Sequence, residues 1–253
     1  MDSKASPRSI KLYRYLPDEA AINTIETSSF RVGRLAKLND PFECCFGLDG
    51  CPDAVAQMLS DLHIAILNET DGIVCFSSKF DDPVLWSHYA KVDGEVHKGI
   101  AFEVIINIFS EDDRCIIFDV NDKKYKLYQV AYDQPRIVLP WPLPSDVPNV
   151  ETIEKMKYFF RQKSEYWKYE QEYRFVVGLA NCDPSGGMFL WKIPPNFVSR
   201  VIIGFRSSVN EAYLRKALKK HDCFRNTKIA KAKLSQTNYT VEVQNLMGLS
   251  PTA

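Results

Sequence analysis

The sequence lacks most of the features that announce the commoner classes of function. Four histidines at scattered positions give no metal-ligand spacing, so a structural zinc site is not expected. Seven cysteines contain no C-x-x-C pair, and the odd count argues against a disulfide framework. No apolar run approaches the length of a membrane span, and residues 1–9 lack the apolar core of a signal peptide. No glycine-rich phosphate loop follows a strand pattern, no nucleophile elbow is present, and no internal repeat is found. Net charge is missing too: 32 basic residues balance 32 acidic ones, so no global field points to nucleic acid or membrane. What remains is the expectation of a cytoplasmic protein with reduced thiols, of which Cys45, Cys75, Cys115 and Cys223 sit in apolar or aromatic surroundings.

What is present is enough apolar and aromatic material for a proper core, 45 % and 12 % respectively. Strands are expected over residues 10–16, 72–78, 100–106, 115–120, 125–132, 173–179, 189–193, 198–205 and 241–246, with a short extended piece at 30–35. Asp18 can cap a helix after the first strand, and residues 52–67 read as an amphipathic helix. Asp40, Pro41 and Glu43 resemble a capping box that opens a helix, and Asp82-Pro83 repeats the device for a short helix through Ala90. Residues 150–166 and 210–221 are expected to be helical, and the proline-rich run 139–144 is expected to be a loop. Strands and helices mix without βαβ regularity and no linker splits the chain. That predicts one α+β domain over 1–253, built on antiparallel sheet.

The stretch 163–179 carries the densest chemistry. Glu170 and Glu172 lie two residues apart before a strand, and an extended backbone puts them and Arg174 on one face. Three ionisable groups converging there are costly unless they pair or work; otherwise they form a solvated face with an internal Glu-Arg pair. Arg14, between Tyr13 and Tyr15, either reaches solvent at an edge or binds an anion by its forked donors. Ser77 and Ser78 end a buried strand, where hydroxyls satisfy a turn or position a ligand. Trp86, His88 and Tyr89 share one short helix; Trp86 reads as core, and His88 as a satisfied core histidine or an acid/base group. Cys75, inside Ile-Val-Cys-Phe, reads as an inert packed thiol.

Taken together, Leu-Tyr-Arg-Tyr (12–15), Leu-Asn-Asp-Pro-Phe-Glu (38–43), Cys-Phe-Ser (75–77), Leu-Trp-Ser-His-Tyr-Ala (85–90), His-Lys-Gly-Ile-Ala-Phe (97–102), Val-Ala-Tyr (130–132) and Trp-Lys-Tyr-Glu-Gln-Glu-Tyr-Arg-Phe (167–175) occur in one order. This set resembles a large prokaryotic family catalogued as domain of unknown function 2971, whose members share Leu-Tyr-x-Tyr, Asn-Asp-Pro-x-Glu, Trp-x-His-Tyr and Glu-x-Glu-Tyr-Arg. The resemblance runs over residues 12–204, with 10–205 as the family core and 206–253 as a basic C-terminal helix and tail. More distantly the pattern is similar to ADP-ribosyltransferases of the Arg-Ser-Glu class. That likeness implies a split, mostly antiparallel sheet with flanking helices, holding NAD as substrate in its cleft and needing no metal.

Residue by residue, the resemblance sets Arg14 on the pyrophosphate or ribose, Ser77 as the cleft serine, Glu172 on the ribose and its developing positive charge, and Glu170 on the acceptor. Tyr13, Trp86 or Tyr89 would stack on nicotinamide, and Tyr15, Ser78, His88 and Arg174 complete the dinucleotide-binding set. The full Ser-x-Ser is missing, because Lys79 and Phe80 follow Ser77-Ser78. Toxin-like or phage-defence contexts belong to the same implication. The rivals are a non-catalytic nucleotide- or peptide-binding module and a hydrolase that uses His88 with a carboxylate. Residues 206–233 hold nine basic and two acidic residues. Lys216, Lys219 and Lys220 there share a helix face, which is either solvated or a strip for a nucleic-acid acceptor.

Overall fold

The structure, a computed structural model, describes residues 8–108, 110–112, 115–120, 123–133, 135–142 and 159–245. In chain order the elements are β1 (Ser9–Pro17), α1 (Asp18–Thr27), β2 (Ser29–Val32), β3 (Gly47–Asp49), α2 (Asp53–Thr70), β4 (Asp71–Ser77) and α3 (Pro83–Tyr89). There follow β5 (Gly99–Asn107), β6 (Ser110–Asp112), β7 (Cys115–Val120), β8 (Lys123–Gln129), β9 (Ala131–Tyr132), β10 (Val138–Pro140) and β11 (Gln162–Lys163). The last group is β12 (Glu172–Gly178), β13 (Asp183–Ser185), β14 (Met188–Lys192), β15 (Val198–Ile203), α4 (Glu211–Leu218), β16 (Lys228–Leu234) and β17 (Val241–Asn245).

Ten strands hydrogen-bond in the order β17-β16-β15-β5-β1-β4-β12-β8-β7-β6, and every pairing but β15 with β16 is antiparallel. The centre is apolar on both faces. Leu12, Leu16, Ile100 and Phe102 face a core closed by α1 and α4, while the alternate residues Tyr15, Ala101 and Ile202 pack beneath α3 with Leu85 and Trp86. Aromatic rings fill the first layer edge to face, Phe175 and Trp191 having centroids 4.7 Å apart.

The expected split sheet is instead one hydrogen-bonded sheet, yet one joint in it is thin. β1 and β4 share a single register pair, Tyr13 with Ser77, whereas β1 pairs with β5 along its whole length. Further along β4, its edge turns to other partners. The Arg14 guanidinium takes the Cys75 carbonyl at 3.0 Å, and Ile73 pairs through its backbone with Gly33 beyond β2. Gly72 permits that approach: a Cβ there would meet Val32 and, at 2.9 Å, the Gly33 carbonyl.

Several local expectations change. Residues 41–44 form a turn, not a helix, because the Asp40 carboxylate accepts the Phe42 N–H at 2.9 Å and closes an Asx-turn. Glu43 is thereby freed from capping. Asp18 opens α1 from inside it and gives no side-chain cap, whereas Asp82 does cap α3 through the Val84 N–H at 2.8 Å. The described part of the expected helix 150–166 holds β11 and the start of a 3-10 helix, Glu165–Glu170; the rest of that helix lies outside the described residues. Within the expected proline-rich loop, Val138–Pro140 pairs in parallel with β3, and residues 143–144 lie outside the description. The basic stretch after α4 includes β16, a strand held by buried Ile229, Ala230 and Ala232.

Candidate functional site

Five ionisable side chains meet behind the thin joint: Glu43, Lys163, Glu170, Glu172 and Arg174, none more than 6 % exposed. Glu172 and Arg174 lie two apart on β12 and so share a face. Glu170 arrives differently from the extended segment expected. It ends the 3-10 helix, and Gln171 turns the chain in the left-handed region (φ 44°) before β12 begins. Lys163 enters from β11 and Glu43 from the turn after Asp40.

The contacts are dense. Arg174 grips Glu172 with two hydrogen bonds, Nε to Oε1 at 2.9 Å and Nη2 to Oε2 at 2.8 Å, and Nη2 also donates to Glu43. Lys163 Nζ donates to Glu170 Oε2 at 2.6 Å and to Glu172 Oε2 at 3.5 Å. It lies 3.1 Å from Glu43 Oε1 as an ion pair without hydrogen-bond geometry, and 4.6 Å above the Trp167 ring. The Tyr89 hydroxyl donates to the other oxygen of Glu170. Three carboxylates thus face two cations.

The two glutamates feel these surroundings in opposite senses. Burial alone would raise the Glu172 carboxyl, but the Arg174 charge and hydrogen bonds, with Lys163, bring it down to about 2. At Glu170 burial wins over Lys163, and the nearby Glu172 charge adds to it, so its carboxyl is raised. Burial would lower Lys163, yet the three carboxylates raise it.

A cavity of about 230 Å3 opens between β1 and β4 onto this network. It is lined by Arg14, Ser77, Glu170 and Glu172, as the order of motifs predicts, and by Tyr13, Tyr15 and Tyr89. Each has constraints of its own. Arg14 donates to the carbonyls of Cys75 and Arg31, both at 3.0 Å, while its Nε is buried without a partner among the described residues. No described carboxylate pairs with it; Phe30 lies 5.5 Å beneath, and burial lowers its pKa. The Ser77 hydroxyl donates to the Glu170 carbonyl at 2.5 Å and accepts the Lys79 N–H at 2.9 Å, which is the turn-satisfying role of a strand-end serine. Tyr13 donates to Glu103 at 3.2 Å and is pushed up to about 12 by burial and that carboxylate, and Tyr15 donates to the Lys79 carbonyl.

Four expected residues do not line the cavity. Trp86 is fully buried, its Nε1 donating to the Phe80 carbonyl at 2.9 Å, because α3 turns that face into the core. His88, on another face of α3, lies 3.0 Å from the Tyr169 hydroxyl. Ser78 points away and bonds Gln171 through its backbone N–H and its hydroxyl. Arg174 lies behind Glu172 and acts through it.

Sequence reasoning missed Glu43, Lys163 and Tyr132, whose hydroxyl accepts the Glu172 N–H at 2.7 Å. Glu43 and Tyr132 stood within quoted motifs, Glu43 resembling a cap, and Lys163 opened the charged stretch, but nothing local pointed any of them at Glu170 or Glu172. Among the described residues no group of three or more His, Cys, Asp or Glu is placed to hold a metal, and no helix is long and apolar enough to cross a membrane. No family model matches the chain, and searches of curated proteins and of solved structures return no match.

Proposed function

We propose that the cleft between β1 and β4 binds NAD and that the chain breaks its nicotinamide–ribose bond, passing ADP-ribose to water or to a macromolecular acceptor. An ADP-ribosyltransferase-like fold and the family likeness of the motifs are part of the same reading. The observation that carries it is the pair Glu170 and Glu172, set in one cavity with Arg14 and driven apart in acidity by their surroundings. Carboxylates separated in this way divide into a fixed charge and a proton-moving group.

Breaking the bond leaves positive charge on the ribose as the electron pair departs with the nicotinamide nitrogen. Glu172, held ionised and immobile by Arg174, is suited to stabilise that charge. Glu170, with its raised pKa, is suited to take the proton of the incoming nucleophile. The Arg14 Nε, without a partner among the described residues, offers a donor to a phosphate or ribose oxygen, and no described carboxylate stands against its charge. A cavity of about 230 Å3 is below the roughly 300–1,000 Å3 usual for ligands. It takes one nucleoside-sized end of a dinucleotide, and the remainder lies outside.

The test is chromatographic detection of nicotinamide after incubation with NAD. Release is expected, and Glu172→Gln is expected to cut it by two to four orders of magnitude, about 3–5 kcal/mol, while unfolding stays cooperative. Undiminished release by that variant removes Glu172 from the chemistry; the absence of both release and calorimetric binding of NAD refutes the reading. A binding module is favoured by one fact, that Glu170, Glu172 and Ser77 all have partners already. NAD bound without release assigns that role.

A further inference from the structure

We propose that a second cavity, beside the first and separated from it by Lys163, binds a nucleobase with the donor edge of guanine. Its volume is about 460 Å3, within the range of ordinary ligand sites. Asp40, Phe42, Arg136, Tyr166 and Trp167 line it, and Lys163 lines both cavities. The proposal does not rest on NAD turnover in the first cleft.

Two independent observations point to a planar ligand with N–H donors. The first is a set of aromatic side chains left open: Phe42 is 58 % and Tyr166 is 85 % exposed, unusual values for large rings. The second is Asp40, 4 % exposed, whose Oδ2 is buried without a hydrogen-bond partner among the described residues. Its other oxygen already accepts the Phe42 N–H. A buried acceptor left empty is costly, and a ligand donor satisfies it.

The charges choose between ligand classes. An organic cation would suit rings and carboxylates, but the lining's two carboxylates, Asp40 and Asp133, are already matched in number by two seated cations: Arg136 lies 5.1 Å over Phe42 and Lys163 4.6 Å over Trp167. A neutral heteroaromatic avoids that repulsion and stacks on rings or on a guanidinium plane. A carboxylate only accepts, so it rejects edges that place an acceptor beside the donor. Adenine and cytosine carry a ring-nitrogen acceptor next to their amine, and uracil flanks its N–H with two carbonyls. Guanine alone presents two adjacent donors, N1–H and the N2 amine. Arg136, which among the described residues has no carboxylate partner, is free to meet a phosphate on such a nucleotide.

The test is calorimetric titration of the full chain with GMP, AMP, CMP and UMP at fixed ionic strength. GMP is expected to bind at least tenfold tighter than UMP. Asp40→Asn keeps the acceptor for the Phe42 N–H and is expected to weaken GMP at least tenfold while leaving UMP unchanged. Four nucleotides bound alike, or none bound, by wild type overturns the proposal, and that arm stands even if the variant misfolds. An unchanged GMP affinity in a folded Asp40→Asn protein also overturns it. Displacement of GMP by NAD overturns a separate site and makes this cavity the far end of the first. A single-stranded oligonucleotide carrying one guanine, bound tighter than GMP, assigns the base to nucleic acid; GMP bound tighter assigns it to the free nucleotide.

Discussion

Lys163→Met is the change that most directly tests whether the buried network is balanced by its charges. The ammonium touches all three carboxylates, at 2.6 Å from Glu170, 3.1 Å from Glu43 and 3.5 Å from Glu172. Methionine fills similar space without charge, leaving three carboxylates against Arg174 alone. Removing one partner from a buried pair costs about 3–5 kcal/mol, because the remaining charge is uncompensated. For a chain of this size that is a fall in Tm of about 6–20 °C. The pH response carries the sign. Loss of Lys163 raises Glu170 further, and an acid whose folded pKa exceeds its unfolded value destabilises the fold when ionised. That penalty is relieved as pH falls, so the variant is expected to gain stability from pH 7 towards pH 5 more steeply than wild type. The assay is urea denaturation of both proteins at several pH values. Lys163→Met/Glu170→Gln restores the original balance of charge and is expected to recover part of the loss. A single variant less than about 1 kcal/mol below wild type, or a double variant no better than the single, refutes the reasoning.

Two further outcomes follow from the same geometry and from the surface. Glu172 has a folded pKa of about 2 against an ordinary 4.5, so the stability it confers is present above pH 4.5 and is lost as pH falls towards 2. The full loss is roughly 3 kcal/mol, about 2 kcal/mol of it between pH 5 and pH 3, offset in part as Glu170 is relieved; denaturation at those two pH values should show it, and Glu172→Gln should remove it. Lys216, Lys219 and Lys220 are exposed and no ion pair among the described residues engages them. Binding of a single-stranded oligonucleotide, read by fluorescence anisotropy, is expected to weaken at least tenfold from about 50 to 200 mM salt and again on Lys216/Lys219/Lys220→Glu. Equal binding by wild type and variant, or none at low salt, makes the strip solvated surface.

The period-2 pattern made most of the sheet legible, since nearly every long strand alternates or is wholly apolar. Cys115–Val120 falls where expected, and β4 and β5 differ from expectation by a residue at their ends. The sequence was silent where tertiary contacts chose the local form. Lys228–Leu234 read as polar because its lysines alternate with few apolar residues, and pairing with β15 on one side and β17 on the other makes it a strand. Arg14, Ser77, Glu170 and Glu172 line one cavity, although only Ser77 and Glu172 stand at strand ends; Arg14 lies within β1 and Glu170 closes the 3-10 helix. Lys163 and Glu43 were not visible as partners of the glutamates, because Lys163 comes from a two-residue strand across a 3-10 helix from Glu170, and Glu43 from a turn far away in the chain.

The buried network is hard to explain as a device for stability alone. Replacing a buried ion cluster by apolar side chains of similar volume is often neutral or stabilising, so five ionisable groups at one joint bring little that leucine would not. Their position offers a reason. Among the described residues the ten strands meet at nine joints, the β1–β4 joint holds a single register pair, and the cavity opens there. Apolar residues at that point would close the joint by packing across it. Charges that must satisfy each other on one side leave the other side free, with Arg14 bridging to backbone carbonyls instead of to a carboxylate. Under the proposed reading the network would do two things at once: fix Glu172 as a charge between Arg174 and Lys163, and leave Glu170, held by one ammonium and one phenol, as the group whose proton moves.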